Sequence, residues 1–156
     1  MAKAGYTAST GADVALVAST AKTILTVLAP AQFGVDLRGF EFSIDGAVST
    51  AVPALWELCA LDGSTAGTST AGTVRQEYGR AITPGFTTGY AFTAEPTVLT
   101  VLYGDKVPVF NGLVIRDFPF NGGSDNDVSK GFALRLTLAA GAAGVNARAT
   151  FRFERC

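Results

Sequence analysis

The chain contains no histidine and only two cysteines among its 156 residues. The absence of histidine excludes Ser-His-Asp and Cys-His nucleophile systems and the common zinc ligand sets. Two cysteines are too few for a disulfide framework. Cys59 lies in an apolar segment, where we expect a small buried hydrophobe, and Cys156 is the last residue. A bridge between the two is the alternative, which a reducing compartment disfavours.

Long apolar runs and a strong net charge are also missing. No segment approaches the ~20 apolar residues of a membrane-spanning helix, and residues 1–10 lack the apolar run of a signal peptide. The formal net charge of −1 provides no general attraction to nucleic acid or to an anionic membrane. No glycine-rich phosphate cradle stands between a strand and a helix. We therefore expect a protein that stays soluble in a cytoplasm, without a membrane, nucleic-acid or cofactor partner.

The composition that remains is typical of one well-packed domain. Hydrophobic residues make up 48% of the chain and charged residues 16%, which differs from the composition of a disordered chain. A chain of this length buries ~70% of its unfolded surface. Residues 1–12 are small and polar and are expected to form a flexible N-terminal arm. Residues 13–156 are expected to form a single domain.

Apolar residues recur at the spacing of strands. In residues 132–138 and 145–153 they alternate with polar ones, a pattern typical of strands with one buried face. Residues 23–46 predict two strands joined by a turn that contains Pro30. In the second of these, Val35 and Leu37 set one alternation, and the opposite one begins at Phe40. A change of buried face requires an extra residue, so we predict a β-bulge at Arg38–Gly39.

Eight or nine strands without helices predict an all-β, two-sheet antiparallel β-sandwich, and we favour a jelly-roll-like order over an immunoglobulin-like one. Residues 52–61 are apolar on both faces except at Glu57, which predicts an interior strand whose second face a neighbouring subunit covers. The segment Ser-Thr-Ala-Gly-Thr occurs twice in residues 64–73 and is a flexible loop by composition.

Side chains for catalysis or metal binding are sparse. A carboxylate-pair hydrolase would draw on Glu57, Glu95 and Asp117, but nothing in their spacing pairs them. Residues 121–127 are rich in oxygen ligands, yet they lack the spaced ligands of an EF-hand and are better interpreted as a surface loop. We therefore expect no enzyme, no catalytic residue and no metal site.

Residues 81–95 form a long segment with three aromatic rings, Phe86, Tyr90 and Phe92. Such rings stack on sugars in sandwich lectins and also anchor subunits on one another. The third interpretation is that they fill the core of this domain. Arg135, Arg148 and Arg152 would form a basic stripe on the outer face of the last two strands, and a solvated or subunit-facing sheet is the favoured interpretation.

Three segments resemble small β-rich structural virion proteins of tailed bacteriophages. They are residues 21–40 (AKTILTVLAPAQFGVDLRGF), 94–101 (AEPTVLTV) and 148–156 (RATFRFERC). The resemblance implies a head-decoration, or cement, protein that assembles in the host cytoplasm and resides in the virion. Such a protein binds the outer surface of an assembled phage head as an oligomer, often a homotrimer, and its partner is the major capsid protein.

For this function we expect interface side chains among the large aromatic and arginine residues, namely Trp56, Phe86, Tyr90, Phe92, Arg148 and Arg152. The alternative is a carbohydrate-binding, lectin-like module of a phage tail or fibre, which would use the aromatic segment as a stacking platform.

Overall fold

The computed structural model describes residues 4–46, 52–81, 83–110, 112–118 and 124–156, and strands dominate all of these ranges. A single 3₁₀ turn at Gly63–Thr65 is the exception among the described elements. The strands are β1 Gly5–Ser9, β2 Val14–Leu16, β3 Ala21–Leu28, β4 Val35–Ile44, β5 Ala54–Asp62, β6 Thr68–Ala71, β7 Val74–Tyr78, β8 Thr87–Ala94, β9 Leu99–Val107, β10 Gly112–Asp117, β11 Ser124–Asn126, β12 Lys130–Thr137 and β13 Val145–Arg155.

These strands form two packed sheets. The seven-stranded sheet has the order β10-β4-β13-β1-β7, with β2 paired to β13 and β11 paired to β4. The six-stranded sheet has the order β6-β8-β3-β12-β5-β9. The named strand pairs are antiparallel. The expected all-β sandwich is confirmed, with thirteen strands in the described ranges rather than eight or nine.

The order of the strands is jelly-roll-like. The first strand, β1, lies beside the last, β13, and in the other sheet β3 lies beside β12. Continuing inward along the chain, β4 pairs with β13 and β5 pairs with β12, while β10 and β9 close the two sheets on one side. Two four-stranded sheets wound in this way are the jelly-roll pattern. Strands β6, β7 and β8 extend the two sheets on the opposite side.

The prediction of a flexible N-terminal arm over residues 1–12 is wrong for residues 5–9, which form β1. Strand β1 lies inside the seven-stranded sheet, paired with β13 on one side and β7 on the other. Tyr6 and Ala8 are buried. Pairing on both sides satisfies the backbone of this short polar segment, so its composition does not make it mobile. In the same way, part of the expected loop at residues 64–73 is strand β6, which pairs with β8.

Aromatic rings fill the space between the sheets. Phe86 contacts Tyr6, Phe33 and Phe153, with ring centroids 5.5, 5.2 and 4.9 Å apart. At the other end of the core Trp56 packs on Phe40 at 5.5 Å. Offset and edge-on ring pairs of this kind add ~0.5–1.5 kcal/mol each beyond the burial of their surface.

The predicted bulge in β4 is confirmed. On β13, Arg152 pairs with Gly39 and the next residue, Phe153, pairs with Leu37, so Arg38 is the extra residue. A Cβ atom on Gly39 would lie only 2.8 Å from the carbonyl oxygen of Arg116 on the neighbouring β10. Gly39 therefore permits a close approach of two backbones at the bulge.

Gly39→Ala is expected to lower the free energy of unfolding by about 1–3 kcal/mol, because the new methyl group must push β10 away. Gly144→Ala is the matched control, since a Cβ atom there would meet only the carbonyl oxygen of Leu16, at an ordinary 3.5 Å. We expect the control to stay within about 0.5 kcal/mol of the unchanged chain. Urea unfolding of the three proteins measures both effects, and equal stabilities would contradict the close approach at Gly39.

The second face of β5 is covered by the chain itself. Cys59 and Leu61 point away from the main core and are almost fully buried in a small outer cluster with Ala133. Leu28, Ala66 and Leu99 complete that cluster. The expectation that a neighbouring subunit covers this face is therefore wrong for the Cys59 end of the strand.

Candidate functional site

Three of the expected interface side chains lie inside the molecule. Trp56 is 3% exposed, Phe86 7% and Phe92 3%. The reason for Phe92 is that residues 87–94 form strand β8 rather than a loop, and Phe86 directly precedes that strand and packs into the aromatic core. These three rings are thus unavailable to a subunit or a sugar on the surface, and of the platform Phe86, Tyr90 and Phe92 only Tyr90 remains at the surface.

Tyr90, Arg148 and Arg152 do reach the surface. Tyr90 is half-buried against the core and lines a recess. Arg148 pairs with Asp13, and the Nη2 of Arg152 lies 3.0 Å from Oδ1 of Asp117. Arg135 belongs to β12 in the six-stranded sheet, whereas Arg148 and Arg152 belong to β13 in the seven-stranded sheet. The three arginines therefore do not form one basic stripe.

The three carboxylates proposed for a hydrolase are held separately. Glu57 accepts from Arg135 across β5 and β12, with 2.8 Å between Oε2 and Nη2. Glu95 lies 3.1 Å from the Nζ of Lys22, and Asp117 belongs to β10 in the opposite sheet. Each carboxylate has its own cation, whereas a glycosidase places two carboxylates on either side of one scissile bond.

The oxygen-rich segment at residues 121–127 falls partly outside the described residues. Of its members, Ser124–Asn126 form β11, which pairs with β4. Asp127 accepts a hydrogen bond from the backbone N–H of Val128 at 2.7 Å. Within the described ranges, no group of three or more histidine, cysteine or acidic residues is placed to hold a metal ion. No helix there is long and apolar enough to cross a membrane.

One surface feature of the described residues is apolar and was not predicted. In the part of the chain that the structure describes, twelve large hydrophobic residues are exposed, and seven of them fall between residues 98 and 115. This stretch covers β9 and β10, which end their sheets on the same side of the sandwich. The rings of Tyr103 and Phe118 lie 5.7 Å apart and join the two edges.

We define the edge patch as the exposed apolar side chains of these two edge strands: Val101, Leu102, Tyr103, Leu113 and Ile115. Leu113 is 61% exposed and Ile115 55%. Among the described strands, none pairs with the outer side of β9 or of β10. The patch therefore combines apolar side chains with two rows of unpaired backbone N–H and C=O groups, which is the surface that a further strand can join.

A charged network lies on the outer face of the seven-stranded sheet. Glu154, whose side chain is 3% exposed, accepts from the Nη2 of Arg38 at 2.9 Å and from the hydroxyl of Tyr78 at 2.5 Å. Asp36 lies directly opposite Glu154 on β4, and its Oδ2 is 3.3 Å from the same Nη2. Arg38, the bulged residue, thus bridges two carboxylates that face each other across the strands.

The network makes Tyr78 sensitive to alkaline pH. Burial, followed by the hydrogen bond to Glu154, raises the pKa of Tyr78 to about 12, above the value of about 10 for an unfolded chain. The protonated phenol is favoured by folding, so this contribution to stability is complete below about pH 10 and is lost as the pH rises through 12. Tyr78→Phe should unfold with a shallower loss of stability between pH 10 and 12 than the unchanged chain. Identical slopes in urea titrations would contradict the assignment.

The two cysteines differ in exposure, Cys59 being buried and Cys156 exposed. Burial raises the pKa of the Cys59 thiol to about 11, which keeps it protonated and unreactive. A thiol reagent such as 5,5′-dithiobis(2-nitrobenzoate) is therefore expected to modify one thiol per folded chain, and two in guanidinium chloride. Cys156→Ser should abolish the reaction of the folded chain. Two reactive thiols in the folded protein would contradict the burial of Cys59.

Comparison with known protein families, with curated proteins and with solved structures gives no match to this chain.

Proposed function

We propose that the chain is a structural virion protein, a head-decoration protein that binds the outer surface of an assembled phage head as an oligomer and stabilises it. The observation that carries this proposal is the edge patch, because unpaired edge strands with exposed apolar side chains are typical of a protein that associates with further chains. The resemblance of residues 21–40, 94–101 and 148–156 to virion proteins of tailed bacteriophages supports the location on the particle.

The edge patch is the contact between copies. A strand from a second copy that lies along β9 or β10 accepts and donates the backbone hydrogen bonds that these edges leave open. A strand that joins β9 lies beside the exposed side chain of Val101, and one that joins β10 lies beside that of Ile115. Because β9 and β10 are different strands, a contact of β9 on one copy with β10 on the next is head-to-tail, and such contacts form a ring when the rotation between successive copies closes. A homotrimer is the ring that we propose.

The outer face of the seven-stranded sheet is left for the major capsid protein. It carries the ion pairs Arg148–Asp13 and Arg152–Asp117. Polar contacts of this type are individually weak in water. Several copies held in one ring bind the shell together, so the whole ring is retained where a single copy dissociates.

Mass spectrometry of gradient-purified particles, with heads and tails separated beforehand, tests this function. The expected result is that peptides of this chain occur in the head fraction at a copy number comparable to that of the major capsid protein. The major tail protein serves as the control for the separation. Absence of the chain from purified particles, or its presence in the tail fraction alone, would overturn the head-decoration function.

A further inference from the structure

A polar recess of about 560 Å³ opens between β1, the β6–β7 connection and β8, on the opposite side of the sandwich from the edge patch. Its volume is in the range of sites for small molecules. Six of its nine lining residues carry a hydroxyl or guanidinium group, namely Thr7, Ser9, Thr10, Thr73, Arg75 and Tyr90. The recess therefore suits a ligand with many hydrogen-bonding groups.

Arg75 supplies the charge of the recess. No carboxylate lines it, and in the described part of the chain Arg75 makes neither an ion pair nor a side-chain hydrogen bond. By contrast, Arg135, Arg148 and Arg152 each have an acidic partner. A guanidinium group binds carboxylates through two parallel hydrogen bonds. An anionic group on the ligand would therefore form an ion pair with Arg75.

Three hydroxyl groups of the recess are also open, that is, available for a hydrogen bond to a ligand. Within the described residues, the side chains of Thr7, Thr73 and Tyr90 have no hydrogen-bond partner. By contrast, Ser9 shares a hydrogen bond with Thr150, and Thr10 accepts one from the backbone N–H of Ala149. Each open hydroxyl can donate one hydrogen bond and accept two. Together they match the hydroxyl groups of a sugar.

The ring of Tyr90 is held in position by its surroundings. It packs against the main core on one side, and a Cβ atom on Gly11 would lie only 2.6 Å from its hydroxyl oxygen. The residue that follows, Ala91, has a φ of 48°, which is unusual for a residue with a side chain. The recess thus has a fixed aromatic wall with a polar tip, which suits a ligand with one apolar face.

We propose that this recess binds a carboxylated sugar unit, such as a hexuronic acid. The carboxylate pairs with Arg75, the sugar hydroxyls bind Thr7 and Thr73, and the C–H face of the ring lies on Tyr90. A neutral sugar has no carboxylate to pair with Arg75, and a small carboxylate has no hydroxyl groups to bind Thr7 and Thr73. Each should therefore bind more weakly than a hexuronic acid. The proposal goes beyond the decoration function and does not depend on it.

Titration of the ¹⁵N-labelled protein with sodium D-glucuronate, at constant ionic strength, tests the proposal. We expect amide shifts at Thr7, Thr73, Arg75 and Tyr90 and a dissociation constant of about 1 mM, a typical strength for one sugar unit. D-glucose and sodium acetate are expected to bind at least about tenfold more weakly. Absence of shifts at about 20 mM glucuronate, or acetate binding as strong as that of glucuronate, would overturn the proposal.

Two arginine variants separate the recess from general electrostatics. Arg75→Gln is expected to weaken glucuronate binding by about tenfold or more. Arg80→Gln makes the same change of charge at an exposed residue that does not line the recess, and it should leave the binding unchanged. Both side chains are exposed, so the folds should be retained, and circular dichroism checks this. Equal binding by the unchanged chain and Arg75→Gln would exclude Arg75 as the carboxylate ligand.

Discussion

A chain that carries both Val101→Lys and Ile115→Lys is expected to be monomeric at concentrations where the unchanged chain is oligomeric. Both side chains belong to the edge patch, one on each edge strand. In the proposed ring the two ammonium groups would be buried at a contact between copies, which is costly without an anionic partner. Truncation of a central interface residue often costs about 2 kcal/mol or more, so the double change should weaken association by about 10²–10³-fold.

Light scattering after size-exclusion chromatography measures this result over a dilution series. Val17→Lys is the control, since Val17 is 64% exposed but lies in the connection between β2 and β3, outside the edge patch. Its oligomeric state should equal that of the unchanged chain. All the altered side chains are exposed, so the monomer should keep its fold. An unchanged chain that is monomeric, or a double variant that keeps its oligomeric state, would contradict the assignment of the edge patch as the contact between copies.

The second large effect is expected at the charged network. Arg38→Met removes the guanidinium group that bridges Glu154 and Asp36, and these two carboxylates face each other directly across β13 and β4. The side chain of Glu154 is almost fully buried. Removal of one partner from a buried ion pair typically costs about 3–5 kcal/mol, so Arg38→Met should lower the free energy of unfolding by an amount in this range.

A second change should restore most of the lost stability. In the double variant Arg38→Met with Glu154→Gln, the buried side chain at position 154 is an uncharged amide. Its oxygen can still accept the hydrogen bond of Tyr78. Arg152→Met is the control on the same sheet face, because the Arg152–Asp117 pair is partly exposed and such pairs contribute less than about 1 kcal/mol. Guanidinium unfolding compares the four proteins: the unchanged chain, Arg38→Met, the double variant and Arg152→Met. A loss of stability in Arg38→Met no larger than that in Arg152→Met would exclude the bridging role.

Local patterns predicted much of the fold. The alternation in residues 132–138 and 145–153 corresponds to β12 and β13, and the change of face at Gly39 predicted the bulge that leaves Arg38 between Asp36 and Glu154. These predictions succeed because a period of two residues and its interruption are properties of one strand alone. They need no knowledge of which strand lies beside it.

Features that depend on distant partners were not predictable in this way. Strand β1 is short and polar, and the backbone that holds it belongs to β13, almost the whole chain length away. The burial of Phe86 depends on Tyr6 and Phe153 in the same manner. The edge positions of β9 and β10 follow from the order of the sheets, so the edge patch has only a weak local signal. This signal is the adjacent pair Asp105 and Lys106, since charges are typical of edge strands.

The most direct test of the head-decoration function is a cryo-electron microscopy reconstruction of the virion. We expect density for a jelly-roll sandwich on the outside of the head, in rings of three copies that meet along β9 and β10. The outer face of the seven-stranded sheet should then contact the major capsid protein. If other chains account for all the density on the outer surface of the head, the head-decoration function is contradicted.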